Sequence, residues 1–160
     1  MDIEKVKSKL MGLGIEPHEM YSFPSYNGRQ LLIVRRTGIE KLERAYNIQF
    51  KYLSVTESSF GRGCNVTVVL QGECKVYDPI AQEAKVIAVQ AMGSANPETV
   101  TKIGFMSDMA NKRARHKVVL KIADLYQYDV HSEEESEDFK PTKQFDHTNA
   151  FQEAMKKISI

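Results

Sequence analysis

The stretch CNVTVVLQGECKVY, residues 64–77, decides the fold class of this chain. Cys64, Val66, Val68, Leu70, Cys74 and Val76 share one parity, and polar Asn65, Thr67, Gln71 and Lys75 take the other. Successive side chains of a strand point to opposite faces, so this alternation suits an antiparallel strand with one covered and one more exposed face. Gly72 interrupts the series and marks an expected bulge.

The neighbours on both sides extend the pattern. Gln49 to Glu57 is strand-like through Phe50, Tyr52, Leu53 and Val55, and Ser58 to Gly63 supplies a hairpin turn with two glycines free to take positive φ. Asp78-Pro79 makes the next turn, Glu83 to Met92 a third strand, and Gly93 to Thr99 a loop. Ser107 is placed to cap a long helix running to Tyr126. Upstream, Asp2 to Leu13 carries Ile3, Val6, Leu10 and Leu13 on one helical stripe. Pro17 to Asn27 is turn-rich, Gln30 to Val34 is a short strand, and Thr37 to Asn47 is a helix with Thr37 as its cap. The expected class is α+β: a three-stranded antiparallel meander followed by a long helix (a β-β-β-α core), with an extra N-terminal helix.

Composition places limits on function. The 160 residues, 42% hydrophobic and 27% charged, suit one soluble domain with a core of its own. No apolar run approaches the roughly 18 residues of a membrane span, and MDIEKVKSKL at the N-terminus is not a secretory signal. Two cysteines, Cys64 and Cys74, make no disulfide framework, so a reducing, cytoplasmic setting is expected. The net charge of +1 hides an asymmetry: residues 1–131 hold 18 Lys/Arg against 14 Asp/Glu, residues 132–160 hold 4 against 7. Residues 1–130 are therefore read as a single α+β domain and 131–146 as a poorly ordered acidic linker around Ser132–Asp138. Residues 147–160 are read as a short helix with Phe151, Met155 and Ile158 on one stripe.

No phosphate-binding GxxxxGK[ST] run is present, His18, His116, His131 and His147 lack metal-ligand spacing, and no acid–base pair or activated cysteine stands out. Neither a catalytic residue, a metal nor a cofactor is expected, and the chain is not read as an enzyme. The positive feature is the long helix. Its Met106, Ala110, Ala114, Val118, Ile122 and Leu125 form an apolar face at 100° per residue, while Lys112, Arg113, Arg115, His116 and Lys117 crowd its first half. Such groups either face water, with their stems over apolar surface, or face a polyanion. Arg113 projects near the apolar face and is a candidate for a structural role.

Ser94-Ala-Asn-Pro-Glu-Thr99, followed by MANKRARHKVVLKIADLY at 109–126, resembles the phage-type single-strand-annealing proteins of the Rad-fifty-two-like superfamily. Phage members place a similar M-A-x-K-R-A run after the third strand, and their shared β-β-β-α unit, preceded by a helix, corresponds in order to residues 37–126. The recognisable sequence is the helix and the run before it. One departure is clear: Asp124 and Leu125 stand where many relatives carry a glycine before the final hydrophobic residue. The resemblance implies binding and annealing of single-stranded DNA without ATP, in recombination of phage or mobile elements, by a homo-oligomer arranged as a ring or filament.

The surface expected to hold DNA has three parts. Lys112, Arg113, Arg115 and Lys117 form a helix patch, Arg62 stands at the hairpin tip, and Arg35 and Arg36 open the second helix, opposite in sign to what a helix N-terminus prefers. Lys51 and Lys75 on strands are further candidates. Two other readings fit the same residues. A small α+β adaptor would bind a protein partner through its sheet or C-terminal helix, and an RNA-binding domain would use the basic helix on an A-form backbone.

Overall fold

The computed structural model describes residues 2–139 apart from 26, 61–62, 98–99 and 101–104. The first helix, α1 (Ile3–Gly12), starts at an Asp2 N-cap whose carboxylate accepts the Glu4 backbone N–H. Strand β1 (Met20–Pro24) pairs antiparallel with β2 (Gln30–Val34), and α2 (Arg36–Ala45) follows. Then come β3 (Gln49–Phe60), β4 (Gly63–Asp78) and β5 (Glu83–Ala95), the long helix α3 (Met106–Ile122), and β6 (Val130–Ser132), which pairs parallel with β2. The chain is α+β, and its antiparallel β3-β4-β5 meander is followed by α3. It is not a simple β-β-β-α unit, because β1-β2-β6 make a second three-stranded sheet.

Helix α3 is the shared wall. On one side it lies on β4 and β5, and on the other it meets α2 and β6. This double cover explains why apolar residues surround its second half: Val118, Val119, Leu120, Ile122 and Ala123 are all buried. Two glycines set how closely the helix approaches the sheet. A Cβ on Gly93 would stand 2.2 Å from the Ala110 carbonyl oxygen and 2.3 Å from the Ala114 nitrogen; one on Gly72 would stand 2.2 Å from Val118 Cγ1. Gly72 is thus a contact point and not the expected bulge. The extra residue is Leu53, where the β3–β4 register shifts between Tyr52 and Ser54.

Helices α1, α2 and α3 end alike. Gly14, Asn47 and Asp124 take left-handed φ values of +90°, +49° and +54° after their helices. The N–H groups of Ile15, Ile48 and Leu125 reach back to the carbonyls of Leu10, Glu43 and Leu120. This is the Schellman closure, which satisfies carbonyls the helix leaves open. At α3 the apolar pair that accompanies it is Leu120 and Leu125, both fully buried.

Several expectations are corrected. Met20–Pro24, read as turn, is a strand because β2 offers it a ladder, and Gly93–Ala95, read as loop, continues β5. Thr37 and Ser107 are not caps: α2 begins after Arg35 and α3 after Phe105, neither giving a side-chain cap bond. The acidic segment expected as a poorly ordered linker forms β6 and then a 3₁₀ helix over Glu133–Phe139. Its carboxylates have donors on the body. His116 Nδ1 lies 2.6 Å from Glu134 Oε2, and Glu135 accepts the Tyr126 hydroxyl at 2.8 Å and the Ser132 backbone N–H at 3.0 Å. The Tyr126 hydroxyl is pushed up by burial and by Glu135 beside it. His131, whose ring meets those of Tyr126 and Phe139 edge-on, is pushed down by burial. Residues 140–160, including the expected terminal helix, lie outside the described residues, as does Arg62. Among the described residues no helix is long and apolar enough to cross a membrane.

Candidate nucleic-acid interface

An open cleft of about 750 Å³ runs between α2 and the first half of α3. Arg36, Glu40 and Arg44, spaced at four residues, form one wall; Phe105, Asp108 and Lys112 belong to the other. Its floor is an ion pair. Arg115 donates from Nε to Glu43 Oε2 at 2.9 Å and from Nη2 to Glu43 Oε1, and its guanidinium lies 4.5 Å over the Phe50 ring. Glu43 holds the guanidinium more firmly protonated than usual. Arg115 is therefore built into the joint between α2, α3 and β3.

Of the residues expected to hold DNA, the cleft brings together Arg36, Lys112 and Arg115. Arg36 Nε donates to Glu40 at 2.7 Å across one turn of α2. Lys112 has no hydrogen bond or ion pair with other described residues, although its charge helps keep the Glu134 carboxyl below the usual range. Burial, the largest single influence on Glu134, works the other way, and the His116 hydrogen bond and charge, a backbone hydrogen bond and Lys112 outweigh it only together. Lys112 thus stands between the acidic segment and the cleft.

The remaining candidates lie elsewhere. Arg113 leaves α3 on the side of β5 and donates to the Ser94 carbonyl at 2.6 Å, in keeping with its projection near the apolar face. Lys117 follows it by one turn in the same row. Arg35 stacks over Tyr21 at 5.4 Å, and its backbone N–H bonds the Glu19 carbonyl at 2.7 Å. Lys51 and Lys75 pair with Gln71 and Val86, so they project from the sheet face that α3 does not cover.

Two cleft residues escaped the sequence reading. Arg44 falls eight residues after Arg36 on an amphipathic helix, a spacing that places both on one face. Phe105 is 54% exposed at the mouth of the cleft, where an apolar ring is not needed for packing. Compared with known proteins, the chain matches no protein-family model and no curated protein.

Proposed function

We propose that this chain binds single-stranded DNA along the α2–α3 cleft and anneals complementary strands without a nucleotide cofactor. The observation that carries the reading is the meeting of Arg36, Arg44 and Lys112 beside an exposed Phe105 in one open cleft. Lys and Arg there attract phosphates irrespective of sequence by releasing condensed counterions. An exposed aromatic ring adds stacking on a base or sugar, about 1–3 kcal/mol where it forms. The resemblance of residues 109–126 to phage annealing proteins points the same way, and it carries homo-oligomerisation and a role in recombination with it.

The test is fluorescence anisotropy of a labelled single-stranded oligonucleotide across a salt series, for the wild-type chain and for Arg44→Ala/Lys112→Ala. Each lost phosphate contact makes the log–log slope shallower by about 0.7, so the variant slope falls by roughly 1.4 with both contacts gone. Folded wild-type protein that fails to bind at low salt sinks the proposal. Equal or tighter binding to the matching RNA moves it to the RNA reading.

A second reading rests on a different surface. Beyond the end of α3 the β4–β5 hairpin exposes Val76, Tyr77, Val86 and Ile80, the last 95% exposed at the turn. Exposed apolar groups gathered on a projecting hairpin suit an adaptor that binds a protein partner. Such binding changes little with salt, which separates it from phosphate binding in the same titration design.

A further inference from the structure

Helix α3 lies over β4 and β5 and leaves the same face of β3 open beside it. Tyr52 stands where that opening meets the cleft. Its ladder partner is Leu70, which is buried in the core, so the Tyr52 side chain starts on the helix side of the sheet. It is nevertheless 58% exposed. Its hydroxyl donates to Asn111 Oδ1 at 3.1 Å, and Asn111 lines the α2–α3 cleft.

Two residues along a strand and four along a helix cover nearly the same distance, about 6.7 Å and about 6 Å. Phe50 and Tyr52 therefore keep step with Arg115 and Asn111. The Arg115 guanidinium covers the Phe50 ring, and one turn earlier Asn111 holds the Tyr52 ring by its hydroxyl. The two rings differ in what lies over them. Arg115, fixed by Glu43, occupies the face of Phe50. Among the described residues no cation and no second ring lies over Tyr52. We infer that the cleft continues across Asn111 to Tyr52, and that the Tyr52 ring stacks on a nucleobase of the bound strand.

This inference rests on the single-strand reading of the cleft and names what the site recognises besides phosphate: an unpaired base. A ring held in place before the ligand arrives loses little freedom on binding, and the Asn111 bond does that for Tyr52. Every base has a π-face, so the contact is indifferent to sequence. It is not indifferent to strandedness. Inside a duplex both faces of a base are taken by its neighbours, and the ring has nothing to stack on. Tyr52 thus favours single strands over duplex. Stacking uses the face of the base and leaves its pairing edge free, as annealing requires.

Three labelled probes of one length test it on the full chain: a single-stranded oligonucleotide, an abasic strand with the same phosphates, and a duplex. Tyr52→Leu keeps apolar bulk but has no π-face. It should weaken binding of the base-bearing single strand by at least about fivefold, with an unchanged far-UV spectrum, and leave the abasic strand and the duplex as they were. No charge is lost, so its log–log salt slope should equal that of the wild type, unlike the slope of Arg44→Ala/Lys112→Ala. Tyr52→Phe keeps the ring and should bind as the wild type does. The chain has no tryptophan, so Tyr52→Trp introduces a single indole. Its fluorescence should fall with the base-bearing strand and not with the abasic one. A Tyr52→Leu variant that binds like the wild type overturns the inference and leaves the phosphate-binding cleft standing. An equal loss on the abasic strand, a Tyr52→Phe loss as large as that of Tyr52→Leu, or an indole that the base-bearing strand does not quench overturns it as well. A wild type that binds none of the probes at low salt overturns the cleft reading and this inference with it.

Discussion

Arg115 and Glu43 form a two-point ion pair that ties the middle of α3 to the last turn of α2, with the Phe50 ring beneath the guanidinium. The bond crosses 72 residues of sequence, so nothing local announces it. It separates Arg115 from Lys112, three residues away on the same helix.

Replacing the two residues should therefore cost unequal amounts of stability. Arg115→Ala strands the largely buried Glu43 carboxylate and removes ring packing, a loss of about 1–2 kcal/mol once partial exposure is discounted. Lys112→Ala should change stability by less than about 0.5 kcal/mol. Urea titrations of both variants check this, and equal losses would show that the ion pair contributes nothing special.

Gly93 and Gly72 make a second paired test. At Gly93 an added Cβ meets the backbone of α3, while at Gly72 it meets the Val118 side chain. A side chain can rotate or shift, but a helix backbone moves only with the whole element. Gly72→Ala should cost about 1–3 kcal/mol, the usual range for overpacking. Gly93→Ala should cost more, and the order of the two melting temperatures decides the point.

Acid should weaken the chain through Glu19. Burial raises this carboxyl, but the Glu16 backbone N–H, Lys41 and Thr37 together bring it to about 2 from an ordinary 4.5. A carboxyl depressed in the folded state adds stability above its unfolded pKa and loses it as pH falls through the folded one. The wild type should lose stability progressively from about pH 4.5 towards pH 2. Glu19→Gln should show a shallower decline across that window in pH-dependent denaturation, and parallel curves for the two proteins would assign the acid response elsewhere.

Asp124 supplies a stabilising test. It holds φ +54°, where glycine would be unstrained. Its carboxylate does accept the Gln127 side-chain amide, so the gain is limited. Asp124→Gly should raise stability by about 0.5 kcal/mol. A drop in melting temperature would mean that the Gln127 bond outweighs the strain.

The meander and its helix were legible in the sequence because their signals are local. The β4 alternation and the helical period of 106–122 each lie within one element, and the Asp78-Pro79 turn joins two neighbouring strands. The β1-β2-β6 sheet was not legible, although one trace of it was present. Val119, Leu120 and Ala123 stood off the main apolar face of α3, and a helix apolar all round is a helix covered on more than one side.

The basic residues teach the sharper lesson. Sequence by itself determined that α3 carries Lys112, Arg113, Arg115 and Lys117 in its first half, and the helical period fixed the angle of each. Only tertiary structure decided what each one meets: a β5 carbonyl for Arg113, a carboxylate on α2 for Arg115, and the open cleft for Lys112. The same holds for the acidic segment, which composition reads as solvated and which His116 and Tyr126 anchor to the body. Periodicity reports which way a side chain points relative to its own helix axis. The partner that gives a charge its role comes from an element folded in from far along the chain, and only packing of the whole sets that distance.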